Sequence, residues 1–339
     1  MKILKLGDLH IGVKQDDPWV QNIQLQGIRQ AIEISKKFNI KKWIQAGDWF
    51  DVRKAITHKT MEFNRLICEE IRNAGIHVDV IVGNHDATFK NKLTPNACDE
   101  LLSQFSNFTV YNKATTVEYD GVAIDLVPWI CDENKDEIMT FIANSKSLYN
   151  IGHYELNGFL FYKGLKSHGI EPDFLAKYKL VESGHFHTQS EGKNIRFIGT
   201  PWTLTAGDEN DVRGFWIFDT ETHENTFIAN NTMWHRKITY PCSINPEMYR
   251  NLSVRVFITK VDDNLAKLET DLEAVAHEVK LVSRIDTDAV LDIDTSTTEE
   301  VKPLIDIIGD YIDALPDLTP EDVNEVKTMT TNLYLEATR

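Results

Sequence analysis

The amino-terminal part of the chain alternates short apolar runs with amphipathic stretches, and each apolar run ends in a cluster of polar residues. We predict strands at 2–8, 41–48 and 77–86 from these runs. Between them, the segments 19–38 and 58–74 are predicted to be helices. This alternation predicts an α/β domain with parallel strands, in which ligands gather at the carboxyl ends of the strands.

The rest of the chain predicts further strands and a change of pattern near residue 240. The predicted strands lie at 121–129, 147–154, 178–187, 194–202 and 213–219. A smaller strand–helix–strand pattern follows, and after it come two predicted helices at 297–315 and 319–337. The last helix has one apolar face, for which burial in its own domain and contact with a partner both stay open.

Composition limits the class of protein. The chain has 339 residues, 42% of them apolar, which is enough for one large domain with smaller attachments. No apolar run is long enough to span a bilayer, and the amino terminus does not resemble a signal peptide. Free thiols in a reducing, cytoplasmic compartment are expected, because no metal-ligand spacing relates the four cysteines Cys68, Cys98, Cys131 and Cys242.

The net charge of −16 argues at face value against a nucleic-acid binder. However, residues 1–240 carry 27 basic and 31 acidic side chains, whereas 241–339 carry 9 and 21. Most of the negative charge therefore lies in the last part of the chain, and some acids of the first part are candidate metal ligands. The acidic tail is equally compatible with a solvated surface and with a partner-binding surface.

Four short motifs stand at the ends of predicted strands. They are Asp8-Leu9-His10, Gly47-Asp48, Gly83-Asn84-His85-Asp86 and Gly184-His185-Phe186-His187. Each is common by chance, but their combination at strand ends indicates a metal site, because carboxylate, imidazole and carboxamide groups suit Mn, Fe, Zn or Mg. A carboxylate can bridge two ions, and paired ions can clamp a phosphoryl group and generate hydroxide near neutral pH.

These motifs resemble the calcineurin-type metallophosphoesterase pattern D-x-H, G-D, G-N-H-[D/E], H and G-H-x-H, in which His153 supplies the single histidine. Within that superfamily the chain is most similar to SbcD-type recombination nucleases, through the segments GDLHIG, AGDWFD, GNHD and GHFHTQSEGKNIRFIGTPW. The resemblance covers about residues 1–220. The protein-phosphatase branch would carry GDxVDRG and GNHE, where this chain has GDWFDVR and GNHD.

The resemblance implies two divalent metal ions, Mn²⁺ by preference with Mg²⁺ as the alternative, and it assigns their ligands. One ion would be held by Asp8, His10, Asp48 and His187. The other would be held by Asp48, Asn84, His153 and His185, so that Asp48 bridges the two.

Catalytic and substrate-binding residues are implied in the same way. His85 would contact the scissile phosphate and assist the leaving oxygen. Some relatives carry a histidine three residues after the bridging aspartate, where this chain has Asp51, which is expected to orient His85. Basic residues in loops near the motifs are candidate contacts to DNA phosphates, although each could equally be a solvated surface side chain: Lys14, Arg53, Lys54, Lys90 and Lys92.

The resemblance also implies the architecture and the partners. A four-layer αββα sandwich at 1–238 would be followed by a small α/β cap domain at 239–292, which positions DNA. C-terminal helices at 293–339 would bind an SbcC-type SMC-like ATPase. The nuclease domain is expected to form a homodimer, through helices near 58–74 and 94–105, and no membrane association is expected.

The implied activity is a metal-dependent DNA exonuclease and endonuclease. It would degrade duplex ends, cut single-stranded or hairpin DNA by a two-metal mechanism, and serve DNA end processing in recombination, repair and replication. Two alternatives stay open at this stage. One is a phosphatase or phosphodiesterase with a non-DNA substrate, which needs the same ligands, and the other is a non-catalytic adaptor for the ATPase.

Overall fold

A computed structural model describes residues 1–162, 165–284 and 326–327 of the chain. Residues Met1–Arg284 form one compact unit. The predicted helices at 297–315 and 319–337 lie outside the described residues, except for 326–327, which are helical. Within the described part of the chain, no helix is long and apolar enough to cross a membrane.

Helices and strands occur along the whole length of this unit. The helices are α1 (Val13–Asp16), α2 (Pro18–Phe38), α3 (His58–Asn73), α4 (Ala97–Leu101), α5 (Lys135–Asn144) and α6 (Asp263–Glu273). The strands up to residue 166 are β1 (Lys2–Leu6), β2 (Lys42–Gln45), β3 (His77–Ile81), β4 (Phe108–Tyr111), β5 (Thr115–Tyr119), β6 (Val122–Val127), β7 (Tyr149–His153), β8 (Leu160–Tyr162) and β9 (Leu165–Lys166). The later strands are β10 (Leu180–Gly184), β11 (Ser190–Gly192), β12 (Ile195–Phe197), β13 (Gly214–Asp219), β14 (Asn225–Ala229), β15 (His235–Tyr240), β16 (Ser253–Ile258) and β17 (Glu278–Ser283).

Two six-stranded sheets form the centre of the molecule. Their strand orders are β14-β13-β1-β2-β3-β4 and β11-β12-β10-β7-β6-β5. Each sheet contains four consecutive parallel strands, β1 to β4 in the first and β12-β10-β7-β6 in the second. Because parallel strands share a direction, the segments that follow them emerge together at one edge of each sheet, as the sequence predicts.

The two sheets face each other across a buried apolar layer. Ile3, Ile44 and Ile81 of the first sheet meet Ile124 and Ile151 of the second in one cluster. A second cluster lies on the other face of the second sheet, where α5 contributes Ile138 and Ile142. Helices α2 and α3 pack beside the first sheet, so the mixed α/β fold predicted from the sequence is confirmed.

The long helix α2 shows why the local sequence forms these elements. Asp17 caps its first turn by accepting hydrogen bonds from the backbone amides of Trp19 (2.7 Å) and Val20 (3.4 Å), and Pro18 stands at its first position. The helix ends where Asn39 adopts a left-handed conformation, with φ of 53°. One apolar face, with Ile28 fully buried, then packs on the core.

After the two large sheets, β15, β16 and β17 form a small parallel sheet with α6 on one face. That face is apolar, with Val254, Val256 and Leu272 buried. On the opposite face, the register places Lys237, Arg255 and Lys280 side by side across the three strands. The small α/β unit occupies the region predicted for the cap, and β15 spans the predicted boundary at 238/239. The predicted domain boundaries themselves stay predictions.

Candidate two-metal site

The polar motifs follow five parallel strands and converge where the two sheets meet. Asp8 and His10 come after β1, Asp48 after β2, and Asn84 after β3. His153 is the last residue of β7, and His185 and His187 come after β10. Backbone hydrogen bonds join the first two loops, since the amides of Leu9 and His10 both donate to the carbonyl oxygen of Asp48 (3.0 and 3.1 Å).

Left-handed backbone conformations direct several of these side chains inwards. His10, Asp48 and His185 have φ angles of 51°, 55° and 84°, which cost energy for residues other than glycine. Gly83 leaves room for this arrangement, because a Cβ atom there would lie 2.2 Å from the backbone nitrogen and from Oδ1 of Asp48. Such strain is typical of functional sites, where the surrounding contacts hold the backbone in place.

Asp8, His10 and His187 form one group of candidate ligands. Nε2 of His10 lies 2.9 Å from Nε2 of His187 and 3.8 Å from Oδ2 of Asp8. Asp8 and His10 are 1% and 2% exposed, so the donors are almost removed from solvent. Asp8 also accepts hydrogen bonds from the backbone amide of His185 at 3.0 Å, which ties the two sheets together.

Asp48, His153 and His185 form a second group, and Asn84 lies within it. Oδ1 of Asn84 is 2.9 Å from Nε2 of His153 and 2.9 Å from Nδ1 of His185. Nε2 of His153 is 3.3 Å from Oδ2 of Asp48. The structure therefore brings the seven predicted ligands into two neighbouring groups, with Asp48 in the second group. The bridging role predicted for Asp48 stays a prediction. Whether they bind metal stays a prediction.

The hydrogen-bond partners of the histidines test whether this donor set fits metal ions. Nδ1 of His153 lies 2.7 Å from the carbonyl oxygen of Ala46, which can only accept, so Nδ1 carries the proton. Its Nε2 then faces Asn84 and Asp48, on the side where an ion would displace a second proton. Nδ1 of His10 lies 3.1 Å from Oδ1 of Asp51, which leaves Nε2 to face His187. Outward N–H groups fixed by oxygen atoms are typical of metal-binding histidines, so the residues fit divalent ions.

The charges of the site point to the same conclusion. Burial raises the pKa of Asp8 to about 6, and the nearby Asp48 adds to the rise. Burial would lower the pKa of His10 and of His153, but the surrounding carboxylates outweigh it and raise both to about 9. Burial lowers the pKa of His187 to about 3, and the charge of His10 lowers it further. The buried carboxylates thus favour positive charge at their centre, which divalent ions can supply.

His85 is not one of the seven predicted ligands, but it forms a third group of candidate donors with His10 and Asp51. Its ring centroid is 4.9 Å from that of His10, and its backbone amide donates to Oδ1 of Asp48 at 2.7 Å. Its Nδ1 lies 2.7 Å from the backbone carbonyl oxygen of Asp51. The structure thus brings Asp51 to His85 through the main chain, while the carboxylate of Asp51 contacts His10. Its role in orienting His85 stays a prediction.

Of the five basic residues predicted to contact DNA, Lys14 lies in the short α1 and the other four lie in loops. Lys14, Lys54 and Lys90 are exposed, and Arg53 is half-buried. None of these four has a carboxylate within salt-bridge distance among the residues described. Lys92 differs, because its Nζ lies 4.6 Å above the centre of the Phe89 ring. These contacts neither support nor exclude a role in DNA binding.

Two supporting residues were not recognised in the sequence. The carboxylate of Asp86, the last residue of GNHD, accepts hydrogen bonds from the amides of Asp48 (3.0 Å), Phe50 (2.9 Å) and Gly83 (2.8 Å). Its place in the motif was the available signal. Arg213 is 3% exposed and donates to the carbonyl oxygen of His187, but in the sequence it is only the first residue of the predicted strand 213–219.

Comparison with known proteins decides the family. The model of the calcineurin-like phosphoesterase family matches residues 1–202. The chain belongs to the calcineurin-like phosphoesterase family. This confirms the resemblance drawn from the motifs, and with it the expectation of a phosphoesterase fold and of an enzyme of the hydrolase class.

A curated relative extends the match to the whole chain. "Exonuclease subunit 1" of Enterobacteria phage T4 is 56% identical over 341 residues, which cover 100% of both chains. The motifs and the chain length also suggest the nuclease subunit of T-even bacteriophages, and this match confirms that resemblance. A solved structure described as a novel archaeal phosphodiesterase is 18% identical and covers 68% of this chain and 100% of that chain. Its TM-score of 0.36 is too low to support an inference.

Proposed function

We propose that this phosphoesterase is a metal-dependent DNA nuclease, which acts as an exonuclease on duplex ends and as an endonuclease on single-stranded or hairpin DNA. The proposal is supported by the convergence of seven buried or half-buried donors in two neighbouring groups, which contain Asp8 and Asp48 respectively. The full-length relative named as an exonuclease subunit supports DNA as the substrate.

Two divalent ions fit the two groups of donors, and we propose Mn²⁺ for both. Asp8, His10, Asp48 and His187 would hold one ion, and Asp48, Asn84, His153 and His185 would hold the other. Such ions supply Lewis-acid charge to the phosphate and lower the pKa of water. The chain contributes the fixed orientation of the donors, since Asp51 and Ala46 hold the outward nitrogens of His10 and His153.

His85 is placed to act on the leaving group. Because the carbonyl oxygen of Asp51 accepts from Nδ1, the ring is held in one orientation and Nε2 stays available to the substrate. A cationic His85 can donate a proton or a hydrogen bond to the departing oxygen, an effect worth about 10²–10⁴-fold in rate. The neighbouring ring of His10 fixes its distance from the ligands.

We further propose that the loops and the small α/β unit position DNA. The basic residues near the site would contribute to this: Lys14, Arg53, Lys54, Lys90 and Lys92. The small α/β unit would contribute a cation row on β15 to β17, formed by Lys237, Arg255 and Lys280. Such contacts would hold the phosphodiester backbone without reading sequence. The proposed homodimer would use α3, where Met61 and Leu66 are each 41% exposed. The second helix proposed for it, near 94–105, corresponds to the short α4.

The remaining proposals concern the complex and the cell. We propose that the C-terminal helices bind an SbcC-type SMC-like ATPase, and that the two proteins process DNA ends in recombination-dependent replication and repair in the cytoplasm. The word subunit in the name of the phage T4 relative supports a partner complex. The proposed contact region, 293–339, lies outside the described residues except for 326–327.

Cleavage of end-labelled duplex DNA tests this function. We expect degradation with Mn²⁺ and none with EDTA, for the chain alone or with the ATPase present. The variant His85→Asn should lose about 10²–10⁴-fold in rate but retain Mn²⁺ binding in calorimetry. His58→Asn is the matched control, because His58 is exposed at the start of α3.

Two results would contradict the proposal. Absence of cleavage with every metal, with the ATPase present, would exclude the nuclease. Preference for the monoester p-nitrophenyl phosphate over its bis-p-nitrophenyl diester would indicate a phosphatase. If His85→Asn cleaves DNA as fast as the wild type, the role given to His85 is wrong.

A further inference from the structure

A cavity of about 290 Å³ opens directly beside the second group of ligands. Its lining combines aromatic and aliphatic side chains with one carboxylate and one ligand imidazole: Trp129, Ile130, His153, Tyr154, Glu155, Leu156, Gly169 and Ile170. The volume lies just below the range of about 300–1,000 Å³ that is typical of sites for whole ligands. The cavity therefore has room for one ring system and not for a complete nucleotide.

Trp129 connects this cavity to the ligands. Its ring centroid is 5.0 Å from that of His185 and 5.9 Å from that of His153. The backbone amide of Trp129 donates to the carbonyl oxygen of Val82 at 2.9 Å, which anchors it to the segment after β3. The indole is half-buried and lines the cavity. A group in the cavity would lie beside His153 and one ring away from His185.

The chemistry of the described lining disfavours a phosphate. Among the residues that the structure describes, no lysine or arginine lines the cavity. The carboxylate of Glu155, 49% exposed and 3.9 Å from Nε2 of His185, would repel an anion. A neutral, planar and partly apolar group fits, because it can stack on the indole and cover Ile130 and Leu156. Exocyclic amino or ring N–H groups of such a ligand could donate to Glu155.

The cavity is also held in shape before any ligand binds. Leu156 and Ile170 pair as a β-bridge, and the amide of Ile170 donates to the carbonyl oxygen of Glu155 at 2.9 Å. At Gly169 a Cβ atom would lie 2.2 Å from that same oxygen, so only glycine allows this approach. A pre-formed wall favours binding, because little ordering is required of the protein.

We propose that this cavity is a base-binding subsite, in which the nucleobase of the nucleotide at the scissile phosphate stacks on Trp129. The proposal rests on the proposed nuclease function and adds a substrate feature to it. Stacking draws the terminal base away from its partner and holds the adjacent phosphodiester at the ligands. Because every base has a flat face, such a subsite positions DNA with little sequence preference.

The test uses a series of DNA substrates, each with one abasic analogue. The analogue is placed in turn at each nucleotide on either side of the first phosphodiester that is cleaved. For the wild type, the abasic analogue at one position should lower kcat/KM by about 5- to 150-fold, the effect of losing one stacked base. For Trp129→Ala, the ratio of base-bearing to abasic cleavage at that position should fall to near one. Because both substrates are measured with the same variant, any general effect of the substitution on the metal ligands cancels in this ratio.

Two further variants separate stacking from a structural effect. Trp129→Phe retains a flat ring and should keep most of the preference for the base-bearing substrate. Ile170→Trp fills the cavity while Trp129 stays in place, and it should abolish the preference. Calorimetric Mn²⁺ affinity of all variants, measured alongside, reports damage to the ligands themselves.

The outcomes distinguish this inference from the proposed function. If the wild type cleaves DNA but is indifferent to the abasic analogue at every position, the subsite is wrong and the nuclease remains. The subsite is also wrong if Trp129→Ala and Ile170→Trp keep the wild-type ratio. If the wild type cleaves no DNA, the proposed function itself has failed.

Discussion

At the scale of single residues, Asp51 decides which nitrogen His10 presents to the site. Its Oδ1 lies 3.1 Å from Nδ1 of His10, within ion-pair distance, so the carboxylate favours a proton on Nδ1 and leaves Nε2 for a metal. Asp51→Ala removes this contact but keeps the backbone carbonyl that contacts His85. We expect Mn²⁺ affinity to fall by about 10–100-fold, the usual cost of losing such a partner, as measured by calorimetry.

The control for this prediction is Glu221→Gln. Glu221 is exposed in the turn between β13 and β14, which the register with β1 places at the edge opposite the site. The Glu221→Gln variant should bind Mn²⁺ with the same affinity as the wild type. An unchanged affinity in Asp51→Ala would show that His10 is oriented without the carboxylate.

His235 provides a prediction about stability and pH. Burial lowers its pKa to about 4, and the charge of Lys14 lowers it further. The unfolded chain binds this proton below about pH 6.5, but the folded chain binds it only near pH 4. Stability from this group is therefore complete above pH 6.5 and is lost as the pH falls towards 4, by about 3 kcal/mol in total.

Urea unfolding at pH 7.5 and pH 5 measures this loss. Other groups also titrate in this window, so the difference between wild type and His235→Asn isolates the contribution of His235. Asparagine can keep the hydrogen bond to Oγ1 of Thr203, which is 2.9 Å from Nδ1 of His235, because its carboxamide takes the position of Nδ1. If the variant loses as much stability on acidification as the wild type, His235 is not the group responsible.

At the scale of elements, the segment after β3 must approach the segment after β2 closely. Gly83 makes this approach possible without a left-handed φ angle, so steric contact alone explains the need for glycine. Gly83→Ala would force Asp48 to move, and we expect a loss of about 1–3 kcal/mol in the free energy of unfolding together with weaker Mn²⁺ binding.

Gly192→Ala is a matched control for this substitution. A Cβ atom there would lie 3.3 Å from the ring of Phe159, which a small shift accommodates. In thermal unfolding, Gly83→Ala should therefore have the lower melting temperature of the two variants, and Mn²⁺ should stabilise it less than it stabilises Gly192→Ala. Equal melting temperatures and equal Mn²⁺ stabilisation would mean that the loops after β2 and β3 tolerate the extra methyl group.

At the scale of the whole molecule, much of the fold could be predicted from local pattern. Strands such as 77–86 and helices such as 19–38 carry periodic apolar residues, and the structure has β3 and α2 at those places. Strand ends were less certain, because β3 stops at Ile81, five residues before the predicted end. The four motifs at strand ends predict a metal site, and the resemblance to the family supplies His153 and the assignment of the ligands.

The remaining features depend on contacts between distant parts of the chain. Arg213 reaches the carbonyl oxygen of His187 only because β13 pairs with β1, which no local pattern indicates. Trp129 is predicted to end an apolar strand, and its position beside His185 follows from the strand order β10-β7-β6 within the second sheet. Sequence spacing also cannot show that Asp51 uses its carboxylate for His10 and its carbonyl oxygen for His85.

The whole chain is acidic, so a row of basic side chains on the small sheet is a specific candidate for contact with DNA phosphates. Lys237 and Lys280 are exposed on either side of Arg255, on the face opposite α6. If they contact phosphates, Lys237→Ala/Lys280→Ala should reduce the slope of log affinity against log salt by about 2, since each lost contact removes about 0.9. The loss should not depend on sequence, because backbone contacts carry no sequence information.

Fluorescence anisotropy of labelled duplex DNA between low and moderate salt gives this slope. The double variant Lys36→Ala/Lys37→Ala removes the same charge from the exposed carboxyl end of α2 and is the matched control. If the lysines act only through long-range electrostatic attraction, affinity should fall similarly in both double variants, since both lose the same net charge. A slope reduced only in Lys237→Ala/Lys280→Ala therefore indicates direct phosphate contacts on the small sheet, whereas equal slopes would remove this surface from the path of the DNA.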